Sequence, residues 1–138
     1  LTWDEEPVYQ SQRGELYAGA AAKLVADGAV YFCDCTTEAV QARNKESGGK
    51  PGYDGFCRDR GLEPGPGRAL RFRTPREGRT GWTDLVRGEV SFANADIEDF
   101  VVVRGNGAPM FLLANCSRNS AGDDCRHGLW PICSPSPA

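Results

Sequence analysis

The chain has 138 residues, 40% hydrophobic and 25% charged, with 16 Lys and Arg against 19 Asp and Glu and a formal net charge of -3. That length suffices for one domain with a sizeable core and is short for two. The slight acidity excludes a general nucleic-acid binder, whose phosphate contacts need concentrated Lys and Arg, and no run of about 18 apolar residues is present to span a bilayer.

The acidic opening Leu1-Thr-Trp-Asp-Glu-Glu6 lacks the basic and apolar regions of a secretory signal, and with Leu in first place the chain reads as an excised or processed piece. Ser11 is an N-cap candidate for a first helix. Its apolar face would carry Leu16, Ala20 and Leu24, with Tyr17 and Ala21 beside them, and Gly28 would end it. Gly14 and Gly19 each weaken that helix by up to about 1 kcal/mol relative to Ala, so packing must hold it. Ala29-Val-Tyr-Phe32 reads as a short strand, and Thr36 or Thr37 caps a polar second helix over 38–46 that stops at Ser47-Gly-Gly-Lys-Pro51. Gly61-Leu-Glu-Pro-Gly-Pro-Gly67 is a linker-like bend. Beyond it the period changes to two: Ala69–Thr74 alternates, Thr80–Val86 and Glu89–Phe92 flank Arg87-Gly88, and Phe100–Val103 and Met110–Ala114 read as buried strands around a Gly105-Asn-Gly107 hairpin turn.

Cys33-Asp34-Cys35 follows the first strand, and Tyr53-Asp-Gly-Phe-Cys57 follows the second helix. Alternation along an extended segment sends both sulfurs of a Cys-x-Cys pair to one side, with Asp34 pointing away. Gly52 and Gly55 ease the turn that brings Tyr53 and Cys57 to face them. Zn²⁺ takes four ligands in a tetrahedron, favours thiolates, and in a closed site holds a small fold together. The residues alone leave two readings open, a structural zinc knuckle and three buried free thiols.

The segments Tyr9-Gln-Ser-Gln-Arg13, Asp27-Gly-Ala-Val-Tyr-Phe-Cys-Asp-Cys-Thr36, Tyr53-Asp-Gly-Phe-Cys-Arg-Asp59, Leu70-Arg-Phe-Arg73, Asp84–Phe92, Asp99–Arg104 and Gly107–Asn115 occur in this order. Together they resemble the middle of class I glutamyl-tRNA synthetases and of their short relatives, the glutamyl-queuosine-tRNA(Asp) synthetases. The resemblance implies a zinc site in the insertion that meets the tRNA acceptor end. Its ligands would be Cys33, Cys35, Tyr53 and Cys57. Some members carry a His where this chain has Asp59, which favours Tyr53 as fourth ligand and makes Asp59 an outer or substitute oxygen donor. Phe111 stands where many members have Tyr, so a hydroxyl that orients substrate is absent; Asp99 and Arg104 match family positions and read as structural. A HIGH-type and a KMSKS-type motif are both missing, so adenylation by this polypeptide alone is not expected and no catalytic residue is assigned.

Between residues 58 and 87, eight arginines stand against Asp59, Glu63, Glu77 and Asp84. The residues allow a solvated strand face or a phosphate-facing patch. The resemblance supplies a tRNA, and makes Arg58, Arg60, Arg71 and Arg73 the candidates for weak contact with its acceptor end. In the tail, Cys116, Cys125, His127 and Cys133 allow a second Cys₃His site, a disulfide, or a loosely packed segment; its Ser, Asn, Gly and Pro content favours the last. His127 beside Asp124 and Cys125 is set aside as a catalytic constellation, since a lone His in such a segment is usually solvated. With six cysteines and no signal segment, a reducing cytoplasm fits better than a secreted disulfide framework.

The expected fold is α+β: N-terminal helices and a zinc-knuckle loop packed on a mostly antiparallel sheet. The synthetase-like zinc-binding acceptor-end domain would span 1–115 and a divergent tail 116–138. The expected function is that of a synthetase-like fragment or truncated paralogue that binds Zn²⁺ and a tRNA acceptor end. The alternative is a zinc-stabilised module whose partner is another protein chain and which has no RNA or catalytic role.

Overall fold

In the computed structural model, residues 9–49 and 51–119 are described. They form three α-helices and five strands: α1 Gly14–Ala26, β1 Val30–Cys33, α2 Thr37–Ser47, β2 Ala69–Phe72, β3 Arg79–Asp84, β4 Gly88–Ala93, β5 Val101–Val103 and α3 Phe111–Asn119. The architecture is the expected mixed α+β one. Every strand pairing is antiparallel, but the strands divide into a three-stranded sheet in the order β1-β2-β5 and a separate β3-β4 hairpin.

The two faces of the three-stranded sheet have different tasks. Val30 pairs with Phe72 and Phe32 with Leu70 across β1 and β2. These residues, with Val102, pack against Leu113 of α3 and Ala20, Ala21 and Leu24 of α1. Period-two alternation turns Tyr31 and Cys33 to the opposite face, where they meet Cys57, Tyr53 and Leu62. One face therefore carries the helical core and the other carries the thiols.

Several elements depart from expectation. Ser11 lies inside a 3₁₀ turn over Gln10–Gln12, and Arg13 is the N-cap of α1, without a side-chain cap bond. Tyr17 rather than Leu16 is the buried residue of the first turns, in line with Ala20, Ala21 and Leu24, which pack on the core, in an i, i+3, i+4, i+7 stripe. In α2, the Thr36 hydroxyl accepts from the Ala39 N–H at 3.2 Å, and Gly48 closes the helix in the left-handed region at φ 62°.

β3 stops at Asp84, short of Leu85 and Val86, because the Asp84 carboxylate accepts the backbone N–H groups of Val86 and Arg87 at 2.8 Å each and turns the chain. Leu85 and Val86 are thereby fully exposed at the tip. The Gly105–Gly107 turn forms, but its return leg is only a single bridge, Val103 to Pro109, with the Met110 N–H donating to Val102 O at 2.9 Å. The expected strand over 110–114 is instead the start of α3. Met, Leu and Ala without β-branching are strong helix formers, and that local preference wins once the edge strand ends. α3 continues past Asn115 to Asn119.

Candidate metal centre

Three short pieces of chain deliver the thiols. Cys33 ends β1, Cys35 lies two residues on with the same sidedness, and the loop before Cys57 folds back through Gly52 and Gly55, both with positive φ. The Sγ atoms of Cys33, Cys35 and Cys57 all lie within 4.8 Å of one another, and those of Cys35 and Cys57 are 3.4 Å apart. The Tyr53 hydroxyl sits 3.5 Å from Cys33 Sγ and accepts the Cys57 N–H at 2.8 Å. The structure thus brings together all four residues that the sequence singled out.

Electrostatics divide the thiols. Burial opposes ionisation of Cys33, but the Tyr53 hydroxyl, the Cys35 backbone and Arg71 outweigh it and hold its pKa below that of an ordinary thiol. Burial and the neighbouring Cys57 thiol push Cys35 up to about 11, against the pull of Arg43. Burial, then the Cys33 contact, raises Tyr53 and keeps it a neutral phenol.

Asp34 does not point away. β1 ends at Cys33, so strand alternation no longer governs Asp34, and its carboxylate accepts from Cys57 Sγ at 3.4 Å and from Arg60 Nη1 at 2.7 Å. Asp59 lies outside the cluster, on the surface with its side chain 84% exposed, paired with Arg73 at 3.1 Å. Two side-chain oxygens therefore lie beside the thiols, the Tyr53 hydroxyl at Cys33 and the Asp34 carboxylate at Cys57.

Each of the four candidate arginines has partners inside the protein. Arg58 holds the buried Asp99 carboxylate through Nη1 at 2.6 and 2.8 Å and donates to Thr74 O at 2.9 Å. Arg71 lies 3.6 Å above the Tyr53 ring and donates to Asp99 O at 2.7 Å. Arg73 donates to Arg58 O at 2.7 Å and lies over the Tyr31 ring. Arg60 spans Asp34 and Cys57 Sγ. Asp99 also accepts from the Tyr31 hydroxyl at 2.7 Å and the Thr74 N–H at 3.0 Å, which ties it to the thiol-bearing face.

Sequence reasoning missed Arg43 and Asp54. Arg43, on α2, donates to Asp54 through Nε at 2.5 Å and to Cys35 Sγ through Nη2 at 3.4 Å. The available signal was weak: a cation two turns into a helix that begins directly after Cys35. Cys116 lies in α3 and outside the thiol cluster, while Cys125, His127 and Cys133 lie outside the described residues. No helix among the described residues is long and apolar enough to cross a membrane.

Residues 1–121 match the family model described as the catalytic domain of class I tRNA synthetases (E and Q). A glutamate–tRNA ligase of Frankia alni is 57% identical over 111 residues, covering 80% of this chain and 23% of the relative. That of Salinispora arenicola is 58% identical over 113 residues, with the same coverages of 80% and 23%. A crystal structure of a glutamate tRNA ligase from Elizabethkingia meningosepticum, in complex with its amino acid, superposes with a TM-score of 0.69 at 21% identity, over 86% of this chain and 27% of that one, and supports the fold. This chain spans about a quarter of the length of the curated relatives it matches. Its matched residues and its fold place it in one group: the chain belongs to the class I glutamyl- and glutaminyl-tRNA synthetase family.

Proposed function

We propose that this chain is a zinc-stabilised, acceptor-end-binding portion of a glutamate–tRNA ligase, with Cys33, Cys35, Tyr53 and Cys57 as the zinc ligands. The observation that carries the reading is the convergence of three Sγ atoms within 4.8 Å, with a phenol oxygen 3.5 Å from one of them. A tetrahedral site with Zn–S bonds of about 2.3 Å needs sulfurs about 3.8 Å apart, so the ligands require small side-chain adjustments and no backbone rearrangement. Three thiols, two of them buried, with a phenol oxygen beside them supply the four ligands of a structural site, whereas a catalytic one keeps a position open for water. Free thiols, none of them in a disulfide among the described residues, suit a reducing cytoplasm.

The tRNA part of the reading draws on the family and on the basic segment. Arg58 and Arg71 are committed to the interior, so in this reading they support the surface that Arg60 and Arg73, both partly exposed, present to phosphate. Weak binding is the expectation, because a few exposed guanidiniums in an acidic chain release few counterions.

A second reading, a zinc-stabilised module that binds protein, draws on the β3-β4 hairpin. Trp82 and Phe92 share one of its faces, 5.9 Å apart and about half exposed, beside the exposed Leu85 and Val86. That reading predicts zinc without RNA affinity.

Zinc content tests the common premise. Purified protein should carry close to one zinc per chain. Cys35→Ser and Cys57→Ser should each lose it together with much of the fold, since structural zinc contributes folding free energy on the order of 10 kcal/mol in small domains. A native mass spectrum of fully folded, metal-free protein would sink the knuckle.

A further inference from the structure

Two guanidinium groups touch the thiol cluster, and each is shared between a sulfur and a carboxylate. Arg43 donates to Cys35 Sγ at 3.4 Å while Asp54 grips it through both oxygens, at 2.5 and 3.1 Å. Arg60 Nη1 lies 3.3 Å from Cys57 Sγ and 2.7 Å from Asp34 Oδ1. Both cations also stack on Phe56, with Cζ 4.2 and 5.1 Å from the ring centroid. The two straps come from different elements, α2 and the loop after Cys57, yet end on the same ring and the same ligand set.

Charge explains why such straps are needed. Zinc held by three thiolates and a neutral phenol carries a single net negative charge. Asp34 and Asp54 add to it. Cys57 Sγ lies 3.4 Å from Asp34 Oδ1; a zinc-bound thiolate at that position has no proton to give, and the two anions would repel. Arg60 lies between them, and Arg43 does the same for Cys35 and Asp54. N–H groups directed at a ligating sulfur fix its orientation and lower the cost of its charge.

We infer that Arg43 and Arg60 form an outer shell that retains the metal, each by dividing its donors between one thiolate and one anchoring carboxylate. This inference rests on the zinc reading of the site. It also gives α2 its attachment: the helix buries no residue, and its ties to the loop are Arg43 and an Asn44 Nδ2 bond to Gly52 O at 2.7 Å. The same contacts that hold the metal therefore dock the helix.

The test measures zinc affinity of the full 138-residue chain by competition with a chromophoric chelator, for the parent, Arg43→Gln and Arg60→Gln. Each variant is expected to bind zinc roughly 10- to 100-fold more weakly, the usual loss when an outer partner of a metal ligand is removed. In Co²⁺-loaded protein the sulfur-to-cobalt charge-transfer band should move to lower energy, because a thiolate relieved of an N–H donor gives up its electron more easily. A purely architectural role would leave that band in place. Where a glutamine variant does not fold, Arg43→Lys and Arg60→Lys carry the same test, since each keeps the cation but loses the fork that divides donors between sulfur and carboxylate. Affinity within about twofold of the parent with an unmoved band overturns the inference while leaving the zinc site intact. A parent chain that takes up no zinc removes both readings.

Discussion

Asp99 is 2% exposed and lies beneath the loop that carries Cys57. Burial alone would favour its neutral form, but Arg58, the Tyr31 hydroxyl and the Thr74 N–H outweigh that and hold its carboxyl below the usual carboxylate range. A depressed folded-state pKa means that the stabilisation is complete above the unfolded value, near 4, and is lost as pH falls through the folded value. Asp99→Asn leaves the Arg58 charge buried without its partner, and should cost about 3–5 kcal/mol in denaturant unfolding at pH 7. The variant should also lose the part of the acid-unfolding slope that the parent shows below about pH 4. An Asp99→Asn chain as stable as the parent at pH 7 would show that the pair contributes nothing net. Arg71 makes the same point at a second position. A strand residue expected to face solvent and phosphate instead covers the Tyr53 ring, so replacing it would disturb the candidate ligand rather than report on RNA.

Elements were legible where their signals were local. The side on which Cys33 emerges follows from the parity of β1, the Thr36 cap from its place before a polar run, and the β3-β4 hairpin from alternation around Arg87-Gly88. The clustered thiols Cys33, Cys35 and Cys57 were legible for the same reason, lying in short motifs on either side of one excursion, while Tyr53 as a fourth ligand came from the family resemblance. Arg43 and Asp54 were not, because their pairing closes that excursion between a helix and a loop and leaves no periodic trace. The helix over 111–119 was misread because an apolar run has no period of its own; its residue types, not its hydrophobicity, carried the answer. Another non-local feature is the approach of Gly105 to Gly67. A Cβ at Gly105 would lie 2.7 Å from the Gly67 carbonyl carbon and closer still to its oxygen. Both partners there are backbone and cannot swing aside. Gly105→Ala should therefore destabilise the chain by about 1–3 kcal/mol in thermal or denaturant unfolding, as overpacking does. An unchanged midpoint would mean that the Gly61–Gly67 bend is free to move off the turn.

At the scale of the molecule, the sheet divides labour. The α1 and α3 face stabilises the fold by burying Val30, Leu70, Phe72 and Val102, while the thiol face is polar, arginine-rich and tied down by ion pairs. An RNA contact in the acceptor-end reading uses guanidiniums that the network leaves partly exposed, and Arg73 is the one of the four candidates that is partly exposed and touches no ligand candidate. Its partners are Asp59, Arg58 O and the Tyr31 ring, none of them a thiol. Binding of an acceptor-stem RNA should be weak and should fall linearly on a log–log plot against salt. Arg73→Gln should lower affinity and reduce that slope by about one phosphate contact, with zinc content unchanged. Specificity decides between the readings of the chain, because bare electrostatics cannot select an acceptor end. If at about 50 mM salt the chain binds tRNA no better than an unrelated acidic polymer, or if Arg73→Gln leaves the slope untouched, the RNA reading fails. That outcome would favour the protein-binding reading, for which the exposed Trp82 and Phe92 face is the candidate surface.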